Sequence, residues 1–197
     1  MDSNTPSTTR RYPPGWWHLR EAVGALEAGG VIAYPTEAVW GLGCDPWDAD
    51  AVEQLLALKD RPEHKGVILV AASVAQVAPL LDPLAPELRE RAAGYWPGPV
   101  TCLLPDPDEL IPPWIKGRHG SVAVRVSAHP GVQRLCQAFG GPLVSTSCNP
   151  AGRNPARSRL QVARYFGDTL DAILPGQLGE QRQPSRIIDL PSGRRLR

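Results

Sequence analysis

The sequence contains no apolar run approaching the roughly 20 residues of a membrane span, so no transmembrane segment is expected. Residues Met1 to Gly15 are polar and proline-rich and lack an apolar core, so they do not read as a secretory leader. Cysteine is sparse. Cys44, Cys102, Cys136 and Cys148 are separated by 58, 34 and 12 positions. No C-x-x-C pair exists, which argues against zinc-ribbon and thioredoxin-type chemistry. Each cysteine sits among apolar or small neighbours, the setting of a buried reduced thiol. The cytoplasm is the expected compartment.

Histidine is equally scarce. His18, His64, His119 and His129 lie in four separate segments, and none is paired with a nucleophile. Lysine occurs only at Lys59, Lys65 and Lys116, never within the frame G-x-x-x-x-G-K-S/T. No G-x-G-x-x-G opens a helix, and neither H-E-x-x-H nor G-x-S-x-G is present. A nucleotide enzyme with this sequence must hold phosphates without a P-loop.

What is present is the composition of a globular enzyme. The 197 residues are 42% apolar and 21% charged, which excludes a disordered or collagen-like chain. Glycine (19) and proline (22) are abundant and act as punctuation rather than repeats. The net charge of +1 hides an asymmetry. Residues 1–110 carry 8 basic and 16 acidic side chains, and residues 111–197 carry 13 basic and 4 acidic ones. A basic second half fits an anionic partner, and equally a bipolar surface.

Along the chain, residues 1–15 read as a flexible arm and residues 16–197 as one domain. A helix is expected from His18 to Ala28, ended by Gly29-Gly30. Val31 to Tyr34 is a short strand stopped by Pro35. Thr36 to Asp45 reads as a loop with two glycines. Ala51 to Lys59 forms an amphipathic helix that Asp48 or Asp50 can cap. The continuous apolar run Val67 to Ala71 reads as a strand covered on both sides. Helical stretches follow at Val74–Leu81 and Pro86–Tyr95, then a strand at Val100–Leu104. Pro105 to Gly120 is a proline-rich loop. Ser121–Val126 is a strand, Gly131–Phe139 a helix and Pro142–Thr146 a strand. Ser158 with Gln161 makes a capping box for a helix ending at Gly167. Short strands close the chain at Asp171–Leu174 and Arg186–Asp189. Irregular interleaving of strands and helices predicts an α/β domain with a mixed sheet.

Four segments place polar or cationic side chains where apolar elements end, the usual location of sites in open α/β sheets. Tyr34-Pro35-Thr36-Glu37, followed by Gly41 and Gly43, presents a hydroxyl and a carboxylate; it also suits a plain strand-to-loop turn. Lys59 and Arg61, two apart before Pro62, can grip one polyanion, or can simply complement a helix C-terminus. Ser145-Thr146-Ser147-Cys148-Asn149 follows a buried-looking strand, so its hydroxyls and amide can meet phosphate or carboxylate oxygens. The alternative is a polar turn closed by Pro150. Arg125 interrupts the apolar strand Val122–Val126 and needs either an exposed face or an anion. Trp96-Pro97-Gly98-Pro99 adds a rigid turn, with Trp96 read as core.

Together these segments resemble the YrdC/TsaC family of L-threonylcarbamoyl-adenylate synthases. The matching stretches are Val31–Asp45, Leu58–Pro62, Trp96–Thr101, Val122–Val126, Pro142–Asn149 and Pro184–Asp189. They occur in the family's order and span the chain from about Trp16 onward. The length is similar to the short bacterial type. The resemblance implies a twisted mixed sheet with helices around a concave basic cleft. It implies formation of threonylcarbamoyl-AMP and pyrophosphate from L-threonine, bicarbonate and ATP, with Mg2+ sharing the triphosphate charge. A tRNA-threonylcarbamoyl transferase complex would then modify adenosine beside the anticodon in tRNAs reading A-starting codons. Binding of tRNA or double-stranded RNA is a further implied property. The same basic half supports an alternative reading as an RNA-binding or ribosome-maturation factor.

Carried over residue by residue, the family's K-x-R falls on Lys59 and Arg61, implying ATP phosphate contacts. Its S-x-N falls on Ser147 and Asn149, and these four form the implied catalytic set. Thr101, Ser145, Ser185 and Arg197 match further nucleotide-contacting positions. Thr36 and Arg125 match positions implied to bind threonine and its carboxylate. Two departures stand out. Cys148 occupies the middle of S-x-N, where alanine is usual. Val70 lies near a position that carries a threonine-contacting histidine in longer relatives.

Overall fold

The structure is a computed structural model and describes residues 15–197. The expected N-terminal arm therefore lies, apart from Gly15, outside the described residues. Helix α1 (Trp16–Glu27) leads into strands β1 (Ile32–Pro35) and β2 (Trp40–Gly43). Helix α2 (Ala49–Leu58) precedes β3 (Ile68–Ala71), and two short helices follow, α3 (Ala78–Leu81) and α4 (Pro86–Ala93). Strand β4 (Val100–Pro105), the single-turn helix α5 (Pro113–Lys116) and β5 (Ser121–Val126) come next. Helix α6 (Pro130–Phe139), β6 (Leu143–Ser147), α7 (Arg159–Phe166), β7 (Ala172–Ile173) and β8 (Arg186–Asp189) complete the order.

The strands make one eight-stranded sheet in the order β7-β1-β2-β6-β3-β5-β4-β8. The pairs β1–β7, β3–β5 and β4–β8 are parallel and the remaining pairs antiparallel, so the sheet is mixed, as expected. β3 sits inside it between β6 and β5, which explains its unbroken apolar run.

Strand alternation divides the core in two. Ala33, Leu42, Leu69, Val124, Cys102 and Val144 point to one face and join α2 residues such as Val52 and Leu55 in the larger cluster. Ile32, Tyr34, Val70 and Leu143 point to the other face. There they meet Ala22 and Leu26 of α1 and Val132, Leu135 and Cys136 of α6. α1 and α6 pack on each other and cap this second face from β7 and β1 across to β3. Further along the same face, β5 and β4 present Ala123, Arg125 and Leu103 to an open cleft.

Local signals account for most boundaries. Asp48, not Asp50, caps α2, accepting from the backbone N–H of Asp50 and Ala51. Ser158 caps α7 and accepts from Gln161 N; the Gln161 carboxamide reaches back to Arg157 N rather than to the cap itself. The His129 imidazole caps α6 by accepting from Val132 N.

Three expectations are corrected. The segment Thr36–Asp45 is not all loop, because Trp40–Gly43 forms β2 between β1 and β6. Its glycines concealed a strand that tertiary pairing requires. A Cβ on Gly43 would stand 2.5 Å from the Val144 carbonyl and 2.9 Å from the Tyr34 ring. The Val74–Leu81 helix splits into a 3-10 turn at Val74–Val77 and the single turn of α3, with Pro79 at the joint. The Pro105–Gly120 loop contains α5, and the Asp106 carboxylate ties that loop together by accepting from Leu110 N, Ile111 N and Lys116 Nζ.

All four thiols are buried and unpaired. Burial pushes Cys102, Cys136 and Cys148 up to about 12 from an ordinary value of 9.0, and raises Cys44 as well. A raised acid binds its proton more tightly in the fold than in the unfolded chain. The stability it contributes is present below pH 9.0 and is lost as pH climbs towards 12. Well above pH 9 the four thiols should therefore outweigh other titrations and lower the urea unfolding midpoint, and an unchanged midpoint at pH 11 would contradict this account.

Candidate active site

The uncovered part of the second sheet face is the floor of a cleft of about 510 Å³. Its chemistry follows from alternation within single strands. In β6, Leu143 joins the α1–α6 core while Ser145 and Ser147, on the same face, line the cleft. In β5, Val122, Val124 and Val126 face the main core while Ala123 and Arg125 face the cleft. β1 delivers Tyr34 to the core and then Thr36 to the cleft wall.

Seven of the ten site residues expected from sequence line this cleft: Thr36, Arg61, Arg125, Ser145, Ser147, Ser185 and Arg197. Lys59, Thr101 and Asn149 stand behind it. Lys59 is 5% exposed, and its ammonium donates to the carbonyls of Ser147 and, at 2.7 Å, Asn149. It braces the turn after β6 instead of facing the cleft. Burial, with Arg61 adding to it, pulls its pKa down to about 8. Thr101 is fully buried, and its hydroxyl shares a hydrogen bond of 2.9 Å with the Ser185 hydroxyl. The Asn149 amide nitrogen donates to the carbonyls of Pro150 and Arg153, while its buried Oδ1 has no partner.

The bend after α2 separates the two cations. Asp60 adopts a left-handed φ of 50°, a conformation aspartate tolerates better than most residues. Lys59 thus turns inward and Arg61 turns to the cleft. The Arg61 guanidinium donates to the Gly66 carbonyl at 2.7 Å from Nη2 and 3.3 Å from Nε. On the far wall, Arg197 donates to the Ser185 carbonyl at 3.1 Å and 3.3 Å. Burial and the nearby Arg125 lower its pKa. Two guanidiniums held close enough to repel each other make a strong site for an anion.

The cleft also takes in residues that sequence reasoning missed. Lys65, Lys116 and His119 line it from the segments around α5, where no periodicity marks them. Glu37 lines it too. Its Oε1 accepts from the Ser127 hydroxyl at 2.6 Å, and its Oε2 lies 3.8 Å from Arg125 Nη2. The Thr36 hydroxyl donates to the Val39 carbonyl at 2.8 Å, fixing the turn. Residues 179–181 strap that turn, since Gly179 N and Gln181 N donate to the carbonyls of Thr36 and Glu37. Cys148 points away into the main core at 0% exposure, so the middle position of S-x-N needs only a small apolar side chain. Val70 packs in the α1–α6 core beside the register position of Arg125. Among the described residues no three His, Cys, Asp or Glu side chains gather as a metal site.

Cationic walls and a hydroxyl-lined sheet floor define an α/β domain built around an open, positively charged cleft. The chain belongs to the Sua5/YciO/YrdC family, whose model, described as "Telomere recombination", matches residues 24–197. It is 62% identical over 184 residues to a threonylcarbamoyl-AMP synthase of Marinobacter nauticus, covering 93% of this chain and 97% of that one. A protein of the same name from Stutzerimonas stutzeri is 58% identical over 183 residues, covering 93% and 98%. Among solved structures, Sua5 of P. abyssi complexed with L-threonine superposes with a TM-score of 0.83 at 32% identity. That match covers 92% of this chain and 53% of the Sua5 chain, so this chain spans about half of it.

The brace predicts a contrast in stability. Lys59→Met removes two charge-assisted bonds to half-buried carbonyls and should cost about 2–4 kcal/mol in urea unfolding. Arg61→Ala removes bonds to one carbonyl at the cleft wall and should stay within about 1 kcal/mol of wild type.

Proposed function

We propose that this chain is an L-threonylcarbamoyladenylate synthase, joining L-threonine, bicarbonate and ATP into threonylcarbamoyl-AMP with release of pyrophosphate. The observation that carries the reading is the cleft itself, where Arg61 and Arg197 from the walls converge with Arg125, Ser145 and Ser147 of the open sheet face. High identity over nearly the full length of relatives bearing that name supports it.

The threonine amine and bicarbonate give a carbamate and water. A carbamate oxygen then attacks the α-phosphorus of ATP, and pyrophosphate leaves. No side-chain nucleophile is required. The demands are alignment of the reactants and stabilisation of phosphate charge. Arg61 and Arg197 bind the phosphates, with Ser145, Ser147 and Ser185 donating to nucleotide oxygens. Lys59 and Asn149 hold the turn that presents Ser147, and Thr101 holds Ser185. Thr36 and Arg125 take the threonine, Arg125 through its carboxylate. Magnesium arrives on the triphosphate and shares its charge.

The product is a reactive mixed anhydride, and its threonylcarbamoyl group passes to a tRNA-threonylcarbamoyl transferase complex in the cytoplasm. No helix of the described residues is long and apolar enough to cross a membrane. The exposed Arg153, Arg157 and Arg159 offer the face on which tRNA or double-stranded RNA would dock.

Pyrophosphate release from ATP tests the reading. It should require both L-threonine and bicarbonate. Arg61→Ala should lower kcat/KM for ATP by about 10- to 100-fold, the scale of one lost charge-assisted contact. Release independent of threonine, or full activity in that variant, would overturn the assignment.

A further inference from the structure

Glu37 is out of place in this cleft. Arg61, Lys65, Lys116, Arg125, Arg197 and His119 line it, and Glu37 is the one acidic side chain among its described lining residues. A carboxylate there weakens every anion contact by Coulomb repulsion unless it serves a cation. Its side chain is about 10% exposed, as is that of Arg125. The two are nonetheless not hydrogen-bonded. Glu37 Oε2 and Arg125 Nε are buried atoms without any hydrogen-bond partner, and the nearest approach of the pair is 3.8 Å. Leaving a buried acceptor and a buried donor unmade is costly, so the arrangement calls for a role.

The position of Glu37 is well determined from behind. The Ser127 hydroxyl donates to Oε1 at 2.6 Å and itself accepts from His129 N at 3.0 Å, and Gln181 N donates to the Glu37 carbonyl. One carboxylate oxygen is thus anchored and the other is left over. It stands beside the guanidinium that the proposed reading gives to the amino acid's carboxylate.

We propose that Glu37 Oε2 receives the ammonium group of the amino-acid substrate, so that Glu37 and Arg125 together recognise the zwitterion. This rests on the synthase reading, in which the ammonium is the cationic group of the amino acid and magnesium stays with the triphosphate. The loose contact at 3.8 Å exchanges partners. The guanidinium turns to the substrate carboxylate and the ammonium takes its place at Oε2. The nitrogen that must form the carbamate is thereby held next to the phosphate-binding wall, and the site selects an α-amino acid over an uncharged analogue.

Calorimetric binding tests the proposal with two ligands: L-threonine and the α-hydroxy acid in which a hydroxyl replaces its ammonium. Wild-type protein should bind L-threonine at least 10-fold more tightly. Glu37→Gln, which keeps the shape and the Ser127 contact, should lose about 10- to 100-fold in affinity for L-threonine and keep its affinity for the hydroxy acid. The retained affinity also shows that the variant is folded. Equal binding of the two ligands by wild type would overturn the proposal without need of the variant. So would a Glu37→Gln protein that binds L-threonine as wild type does. If wild type binds neither ligand and releases no pyrophosphate with threonine, the synthase reading itself falls, and this inference with it.

Discussion

The site depends on incomplete coverage of one sheet face. A sheet face normally has to be buried, and here α1 and α6 cover it from β7 and β1 across to Leu143 of β6 and Val70 of β3, leaving the continuation of these strands open. The same rows of side chains run from beneath those helices into open space. Leu143 gives way to Ser145 and Ser147, and Tyr34 to Thr36. The opposite face is packed across the whole sheet, so stability rests there and the second face can carry polar groups. The rigidity of the central strands becomes the rigidity of the cleft floor, where alignment of three substrates is the main requirement.

Around that floor, the walls are set by backbone carbonyls. Lys59 spends its charge on the turn carrying Ser147 and Asn149, Arg61 reaches the Gly66 carbonyl, and Arg197 reaches that of Ser185. Each cation thereby locks a loop against the sheet. Arg61 and Arg197 still present charge to the cleft, whereas Lys59 acts through the turn. The cost of burying Lys59 is visible in its lowered pKa, and its two carbonyl partners offset that cost.

Much of this was legible in the sequence where the signal is local. The runs at Val67–Ala71 and Val122–Val126 are strands because β-branched apolar residues cover both faces or alternate, and Ser158 caps α7 as its spacing says. The motif residues Thr36, Arg61, Arg125, Ser145 and Ser147 do converge on one cleft. What escaped was set by distant partners. β2 was hidden because Gly41 and Gly43 carry no strand preference, and Gly43 is required only by the closeness of Tyr34 and Val144. The inward turn of Lys59 depends on carbonyls across the fold, and the Glu37 carboxylate, expected at the strand exit, shows its pairing with Arg125 only in three dimensions. Cys148 looked like a departure and is a core residue, because alternation turns it away from the cleft.

The most direct test is mass spectrometry of the nucleotide products formed with ATP, L-threonine and isotopically labelled bicarbonate. The account predicts an adenylate that contains threonine and the labelled carbon and appears together with pyrophosphate. Conversion of ATP to ADP, or to AMP with neither threonine nor label attached, would contradict the claim that this cleft joins the three substrates.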